Sequence, residues 1–255
     1  MADWDPTQYL RFANERLQPA LDLLARVAAE APARVLDLGC GAGNVTAILK
    51  TRFPSADVVG IDGSEAMLAK ARESAPGCRF VLGGFDSWDR ALAPDVLFSN
   101  AALHWTGGHE MLFPDLLSRV APGGWFAVQM PAMHDAPLRR LQGEVAAHGP
   151  WAAALRGIGS ARGILSAGDY WDILRPHAAA LEIWETIYLH VLNGEDAVGE
   201  WAAGTSLRPF LDPLTPELRA GYRRAYAAAL APHYPPRADG TTLLPFRRLF
   251  ILARR

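Results

Sequence analysis

Between residues 33 and 131, short apolar runs alternate with stretches whose apolar positions recur at helical spacing. That rhythm predicts a parallel sheet with crossover helices. Strands are expected at 34–38, 57–61, 79–82, 96–99 and 125–130. Most are unbroken apolar runs, as a strand requires when helices cover both of its faces. Helices are expected at 44–53, 64–75 and 110–120, with Ser64 placed to cap the second and Pro122-Gly123-Gly124 to stop the third.

Ahead of this region, 7–29 reads as an amphipathic helix with Leu10, Leu17, Leu21, Leu24 and Val27 on one face, kinked or divided by Pro19. After 131 the rhythm changes. Helical patterns at 136–148 and 168–175 lead to a β-rich run at 181–192. Two more helical patterns, at 196–203 and 216–230, precede a closing strand at 243–253. Helices set among late strands suggest a cap over the ligand-binding edge of the sheet. No Gly/Ser-rich linker divides the chain, so one domain is expected. Its parts are a helical cover (1–32), a sheet core (33–131) and late strands with a helical cap (132–255).

Composition narrows the function classes. Half of the 255 residues are hydrophobic, a fifth are charged, and the formal net charge is −2. A folded protein is implied, with no reason to expect nucleic acid or an anionic membrane as partner. Cys40 and Cys78 fit neither a disulfide framework nor a zinc or redox spacing, and the seven histidines show no metal-ligand spacing. The first residues lack a signal-peptide pattern and no apolar stretch reaches the ~18 residues of a membrane span, so a cytoplasmic location is expected. Of the 25 basic residues, only Lys50 and Lys70 are lysines. A coding bias accounts for most of that excess, since 44 alanines accompany it. The functional alternative is that some arginines hold a planar anion bidentately.

The sharpest local signal is Val35-Leu36-Asp37-Leu38-Gly39-Cys40-Gly41-Ala42-Gly43-Asn44. A strand runs into three alternate glycines, and then a helix opens. Glycines let the backbone approach a ligand, and the N–H groups of the opening helix face what is bound. A dinucleotide fingerprint would need a third glycine where Asn44 or Thr46 stands, so a nicotinamide dehydrogenase is disfavoured. Asp62 ends the second strand inside Gly60-Ile61-Asp62-Gly63-Ser64, where an acid accepts both hydroxyls of a ribose.

The segment 35–44 with Asp62 resembles the class I S-adenosylmethionine-dependent methyltransferases. That likeness implies a Rossmann-like fold: an α/β, doubly wound, seven-stranded, mostly parallel sheet. Further motifs narrow it. They are Asp3-Trp4-Asp5-Pro6 with Tyr9, Phe12 and Arg16, then Asn100-Ala101-Ala102-Leu103-His104-Trp105, and Val128-Gln129-Met130-Pro131. Tyr170-Trp171-Asp172-Ile173-Leu174, Ser206-Leu207-Arg208-Pro209-Phe210-Leu211 and Pro245-Phe246-Arg247-Arg248-Leu249-Phe250 add to them. Together they are similar to methyltransferases that esterify a small, rigid tricarboxylate, trans-aconitate.

The resemblance implies roles. Asp37 and the backbone of Gly39, with Gly41 and Gly43, would hold the methionine part of S-adenosylmethionine. Asp62 would hold the ribose beside Gly63 and Ser64, and Met67 would pack on adenine or serve as core. Gly84 stands where the family often has an acid reading the adenine amino group, so Asp86 or the backbone at Phe85 would substitute. Asn100 and Ala101 would pass near the sulfonium, with His104 and Trp105 toward the acceptor. Tyr9 and Arg16 would touch the cofactor as the first helix closes over it.

A substrate carboxylate is ionised at neutral pH and attacks a sulfonium methyl without a general base or a metal. The remaining carboxylates need paired charges when buried, which suits arginine. Arg208, flanked by apolar residues, is the first choice, with Arg16 and Arg247 behind it and Tyr188 as a pocket wall. Arg139-Arg140 and Arg223-Arg224 read as solvated helix faces. The alternatives are a different small-molecule acceptor, or an S-adenosylmethionine-binding module without turnover.

Overall fold

The computed structural model describes residues 17–158, 163–204 and 206–255. Seven strands form one sheet: β1 Arg34–Leu38, β2 Asp57–Asp62, β3 Arg79–Leu82, β4 Val96–Asn100, β5 Trp125–Pro131, β6 Ala180–Leu192 and β7 Thr242–Arg254. Their order is β3-β2-β1-β4-β5-β7-β6. The first five are parallel, and β7 runs antiparallel to β5 with Gln129 opposite Phe250. The order reverses between β1 and β4, which makes their carboxyl ends the natural ligand crevice.

Nine α-helices accompany the strands among the described residues: α1 Gln18–Arg26, α2 Asn44–Arg52, α3 Glu65–Ser74, α4 His109–Arg119, α5 Pro137–Ala146, α6 Ala167–Leu174, α7 Ala197–Ala203, α8 Arg208–Leu211 and α9 Pro216–Leu230. One expectation about α1 changes. Pro19 is the second helical residue, where its missing N–H costs nothing, so it opens the described helix and does not kink it. The expected residues 7–16 lie outside the described residues.

The chain divides into two compact units. One holds the described chain through Pro131 with Ile164–Thr186 and Arg248–Arg255; the other is Ala132–Gly163 with Ile187–Arg247. The core of the first is the central strands. Val35, Leu36 and Leu38 of β1 and Val96, Leu97 and Phe98 of β4 are wholly buried. The edge strand β3 differs, with Val81 and Leu82 exposed, because only one neighbour shields it.

The second unit packs α5 against α9. Tyr222 stacks between Phe210 and Tyr226, and Trp151 meets its edge at 5.6 Å. Here a second expectation is corrected. Arg140 pairs with Glu144 at the surface, but Arg139 is half-buried, and burial pushes its guanidinium below the usual arginine range. It has no acidic partner among the described residues.

Candidate functional site

The glycine turn is built by backbone geometry and two carboxylates. Gly39 has φ +78°, and a Cβ added there would stand 2.2 Å from the Ala102 Cβ, so the end of β4 leaves no room for a side chain. Gly41 has φ +53°, and a Cβ there would meet nothing within 4 Å; this residue opens onto free space. The N–H groups of Gly39 and Cys40 both donate to the Ile61 carbonyl, at 2.8 and 3.0 Å.

Asp62 completes the turn. Its Oδ2 accepts from Gly41 N–H and its Oδ1 from Ser64 N–H, both at 2.9 Å. One carboxylate therefore ties the loop after β1 to the loop after β2. Ser64 caps α3 through Met67 N–H, as its place before the helix suggested. Asp37 is nearly inaccessible and accepts from Thr46 Oγ1 at 2.6 Å. Burial, more than any other influence, raises its pKa to about 7; the Thr46 bond opposes the rise and the Asp62 charge adds to it.

These elements surround a cleft of about 460 Å³. The end of β1 and its turn contribute Leu38, Gly39 and Gly41, the end of β2 and the loop after it contribute Ile61, Asp62, Gly63 and Ser64, and the first turn of α3 contributes Met67. The loop after β3 adds Gly83, Gly84 and Phe85, and the segment after β4 adds Ala101, Ala102 and Trp105. Asp62 is the one carboxylate among them. Met67 is 43% exposed, which removes the core reading for its side chain.

Asp86 is exposed and outside the lining, with its Oδ1 3.5 Å from where a Cβ at Gly84 would stand. Gly84 N–H is held by Ser87 Oγ at 2.8 Å, which shapes this loop around Phe85. Trp105 lines this same cleft, although the sequence placed it toward the acceptor. Asp37, Gly43 and Asn100 are adjacent to the lining without belonging to it.

The turn that carries Trp105 spans Leu103–Trp105 and is propped from behind. His109 is buried; its Nε2 lies 3.1 Å from the Leu103 carbonyl and its Nδ1 2.5 Å from Tyr170 Oη. A carbonyl only accepts, so Nε2 carries the proton and Nδ1 accepts from the tyrosine. Burial pushes the His109 pKa below its ordinary value.

Asn100 ends β4 half-buried. Ala101 follows with φ +51°, a left-handed conformation costly for a residue with a side chain, and its N–H donates to the Gln129 carbonyl at 2.9 Å.

The expected acceptor residues fall in both units, His104 in the first and Tyr188, Arg208 and Arg247 in the second. His104 is half-buried against Trp105, with ring centroids 4.6 Å apart. Tyr188 is half-buried on β6. Arg247 donates to the Ala132 carbonyl at 2.9 Å and pairs with Asp135 at 2.5 Å. Arg208 opens α8 with its side chain exposed. Its apolar neighbours Leu207 and Phe210 mark the inward face of that turn and not a pocket around the arginine. Tyr9 and Arg16 lie outside the described residues. Sequence reasoning did not single out Ala102, Gly83 or the His109–Tyr170 pair, and it quoted Gln129 only inside a motif.

Comparison with known proteins agrees with this arrangement. A family model described as a methyltransferase domain matches residues 35–124. A protein of Methylobacterium radiotolerans named trans-aconitate 2-methyltransferase is 47% identical over 258 residues, covering 100% of this chain and 99% of that one. Proteins of the same name from Methylobacterium nodulans (49% identical, 100% and 99% covered) and Yersinia pseudotuberculosis (45%, 99% and 98%) are similar throughout. Among solved structures, the YcgJ protein of Bacillus subtilis superposes with a TM-score of 0.60 at 16% identity, over 92% of this chain and 97% of that one. An S-adenosylmethionine-dependent methyltransferase from Mesorhizobium loti gives 0.53 at 21% identity, over 95% and 99%. These two likenesses carry the fold.

Proposed function

The chain belongs to the trans-aconitate 2-methyltransferase family, whose cofactor is S-adenosylmethionine, and from that premise we propose that it forms the monomethyl ester of trans-aconitate. The observation that carries the acceptor is the reach of the similarity. It covers 100% of this chain, residues 132–255 included, and so extends well beyond the methyltransferase domain at 35–124. A likeness confined to the glycine turn would name only the cofactor.

The cleft fits that cofactor. Its volume lies within the ordinary range of small-molecule sites, and Gly41 leaves its floor open. In this reading Asp37 and Gly39 receive the methionine part, Asp62 with Gly63 and Ser64 takes the ribose hydroxyls, and Met67 and Phe85 flank the adenine. When bound, S-adenosylmethionine supplies an electrophilic methyl group on a sulfonium. The chain's task is to bind, align and desolvate.

No proton needs removing from an acceptor carboxylate near neutral pH, since its pKa is roughly 4. Asp62, an acid among the described lining residues, already accepts backbone N–H groups through both its oxygens. The charges of the remaining acceptor carboxylates are met by arginines, for which Arg208 and Arg247 stand as candidates, with His104, Trp105 and Tyr188 as walls. The protein works without nucleic acid or membrane in a reducing cytoplasm, where Cys40 and Cys78 stay free thiols. No described helix is long and apolar enough to cross a membrane.

Transfer of labelled methyl groups to trans-aconitate, cis-aconitate, citrate and isocitrate tests the reading. A base-labile labelled ester of trans-aconitate, formed faster than any other, is expected. No ester of trans-aconitate from a protein that binds S-adenosylhomocysteine would overturn it.

A further inference from the structure

The carboxyl ends of β4 and β5 carry two side-chain amides side by side. Asn100 and Gln129 are register partners of these parallel strands, so their side chains leave the same face of the sheet. Gln129 is wholly inaccessible, yet neither its Oε1 nor its Nε2 has a hydrogen-bond partner among the described residues. Asn100 Oδ1 is likewise buried and has no partner among them. On the other side, the register partner of Gln129 is Phe250, whose ring has no polar atom to offer. Strand interiors bury Val, Ile or Phe at no such cost. A buried amide with both ends unpaired is destabilising unless something arrives to meet it.

The surroundings say where that something enters. Ala101 and Ala102, the next two residues after Asn100, line the cofactor cleft. Ala101 holds its left-handed conformation while its N–H bonds to the Gln129 carbonyl, so the two strand ends are locked together. Asn100 thus precedes two lining residues at the carboxyl end of β4, next to a backbone position that carries strain, and Gln129 is its register partner on β5. Backbone strain and orphaned polar groups at one spot mark a place kept for a ligand at the expense of stability.

We infer that Gln129 and Asn100 form a two-amide seat for one carboxylate of the acceptor, with Gln129 as a specificity-determining residue. Gln129 Nε2–H and Asn100 Nδ2–H donate to carboxylate oxygens without adding charge, so they orient the anion and leave its nucleophilicity intact, while Oε1 and Oδ1 only accept and take no part in holding it. An arginine at this spot would bind more tightly but would quench the attacking oxygen. The inference rests on the acceptor reading above and deepens it: neutral amides hold the reacting carboxylate, while cationic side chains take the others.

Gln129→Met, which keeps the volume and removes the amide, is the test. It is expected to unfold at the same temperature as the parent protein or higher, because an unpaired amide is lost. Affinity for S-adenosylhomocysteine should stay within about twofold, whereas KM for trans-aconitate should rise about 10- to 100-fold, the loss of one hydrogen bond to a charged group. A second measurement does not depend on turnover. Trans-aconitate added to the S-adenosylhomocysteine complex should raise the melting temperature of the parent protein and not that of Gln129→Met.

An unchanged KM and unchanged thermal protection in Gln129→Met would overturn the seat, and so would a lower melting temperature with KM unaltered, which marks a structural amide. If trans-aconitate protects the parent protein through Gln129 but is never methylated, the seat stands and the acceptor reading fails. If it protects neither protein, the seat fails. Should Gln129→Met not fold, Gln129→Glu replaces it: a carboxylate facing a carboxylate is expected to raise KM further, with recovery as pH falls, and a pH-independent parental KM would sink the idea.

Discussion

Thr46 Oγ1 donates to Asp37 Oδ2 at 2.6 Å, joining the first turn of α2 to the strand that enters the glycine turn. Thr46 is the main influence opposing the burial that lifts Asp37 to about 7. In the proposed complex Asp37 meets the ammonium of the cofactor, and only its ionised form attracts that cation. Affinity for S-adenosylhomocysteine should therefore rise roughly tenfold per pH unit up to about pH 7 and level off above it. Calorimetry from about pH 5.5 to 8.5 reads the profile. Thr46→Val should move the midpoint upward, and a flat profile would remove Asp37 from cofactor binding.

The same group sets a stability slope. Its native pKa of about 7 lies above the unfolded value, so the folded state holds the proton more tightly. The stability this provides is present at low pH and is lost as pH rises from about 4 to about 7, at no more than about 1.4 kcal/mol per unit. Asp37→Asn should therefore be more stable than the parent protein at pH 8, with the gain shrinking toward pH 5, while cofactor affinity falls. Urea unfolding at the two pH values distinguishes this from a uniform shift.

Asp62 accepts two backbone N–H groups and faces the cleft. Asp62→Ala removes both acceptors and the proposed ribose contact together, so cofactor affinity should fall by about 100-fold or more, equivalent to about 3 kcal/mol. Asp62→Asn keeps one acceptor oxygen and should fall between the two. Unaltered affinity in Asp62→Ala would contradict the ribose assignment.

The parallel half of the sheet was legible in the sequence to within two residues at every strand end, because unbroken apolar runs bounded by glycines and caps admit few other readings. The glycine turn and Asp62 were legible because only backbone geometry explains three alternate glycines after an apolar strand. Arg208 and Arg139 mark where that legibility stops. Apolar neighbours can mean a pocket around an arginine or a turn that faces the other way, and a string of letters does not separate them. His109 and Tyr170 stand 61 residues apart, and Gln129 reads as one polar letter in a strand. Their meaning comes from partners that are present in the first case and missing in the second.

Gly39 tests the close approach directly. An alanine there adopts a positive φ and drives its methyl against Ala102. The first effect costs about 1–2 kcal/mol and the second about 1–3. Gly39→Ala should lose about 2–5 kcal/mol in urea unfolding. Adding Ala102→Gly should restore part of it, since the clash is relieved while the backbone strain stays. No recovery in the double variant would show that the strain dominates.

Tyr170 reaches the cleft through His109. Its hydroxyl is the partner of Nδ1, and Nε2–H holds the carbonyl of Leu103 in the turn that presents Trp105. Tyr170→Phe leaves a buried imidazole nitrogen unpaired, at a cost of about 1–3 kcal/mol. Because burial already lowers the His109 pKa, the native state binds fewer protons than the unfolded chain. The stability that follows is present above the unfolded pKa of about 6.5 and is lost as pH falls below it. That slope is opposite in sign to the one from Asp37. The tyrosine O–H donates to the neutral imidazole and so disfavours its protonation. Without it the ring protonates more readily, so Tyr170→Phe should lose less stability at pH 5.5 than at pH 7.5, and should raise KM for S-adenosylmethionine severalfold through a looser Trp105. Equal losses at both pH values, with KM unmoved, would confine the pair to packing and detach it from the cleft.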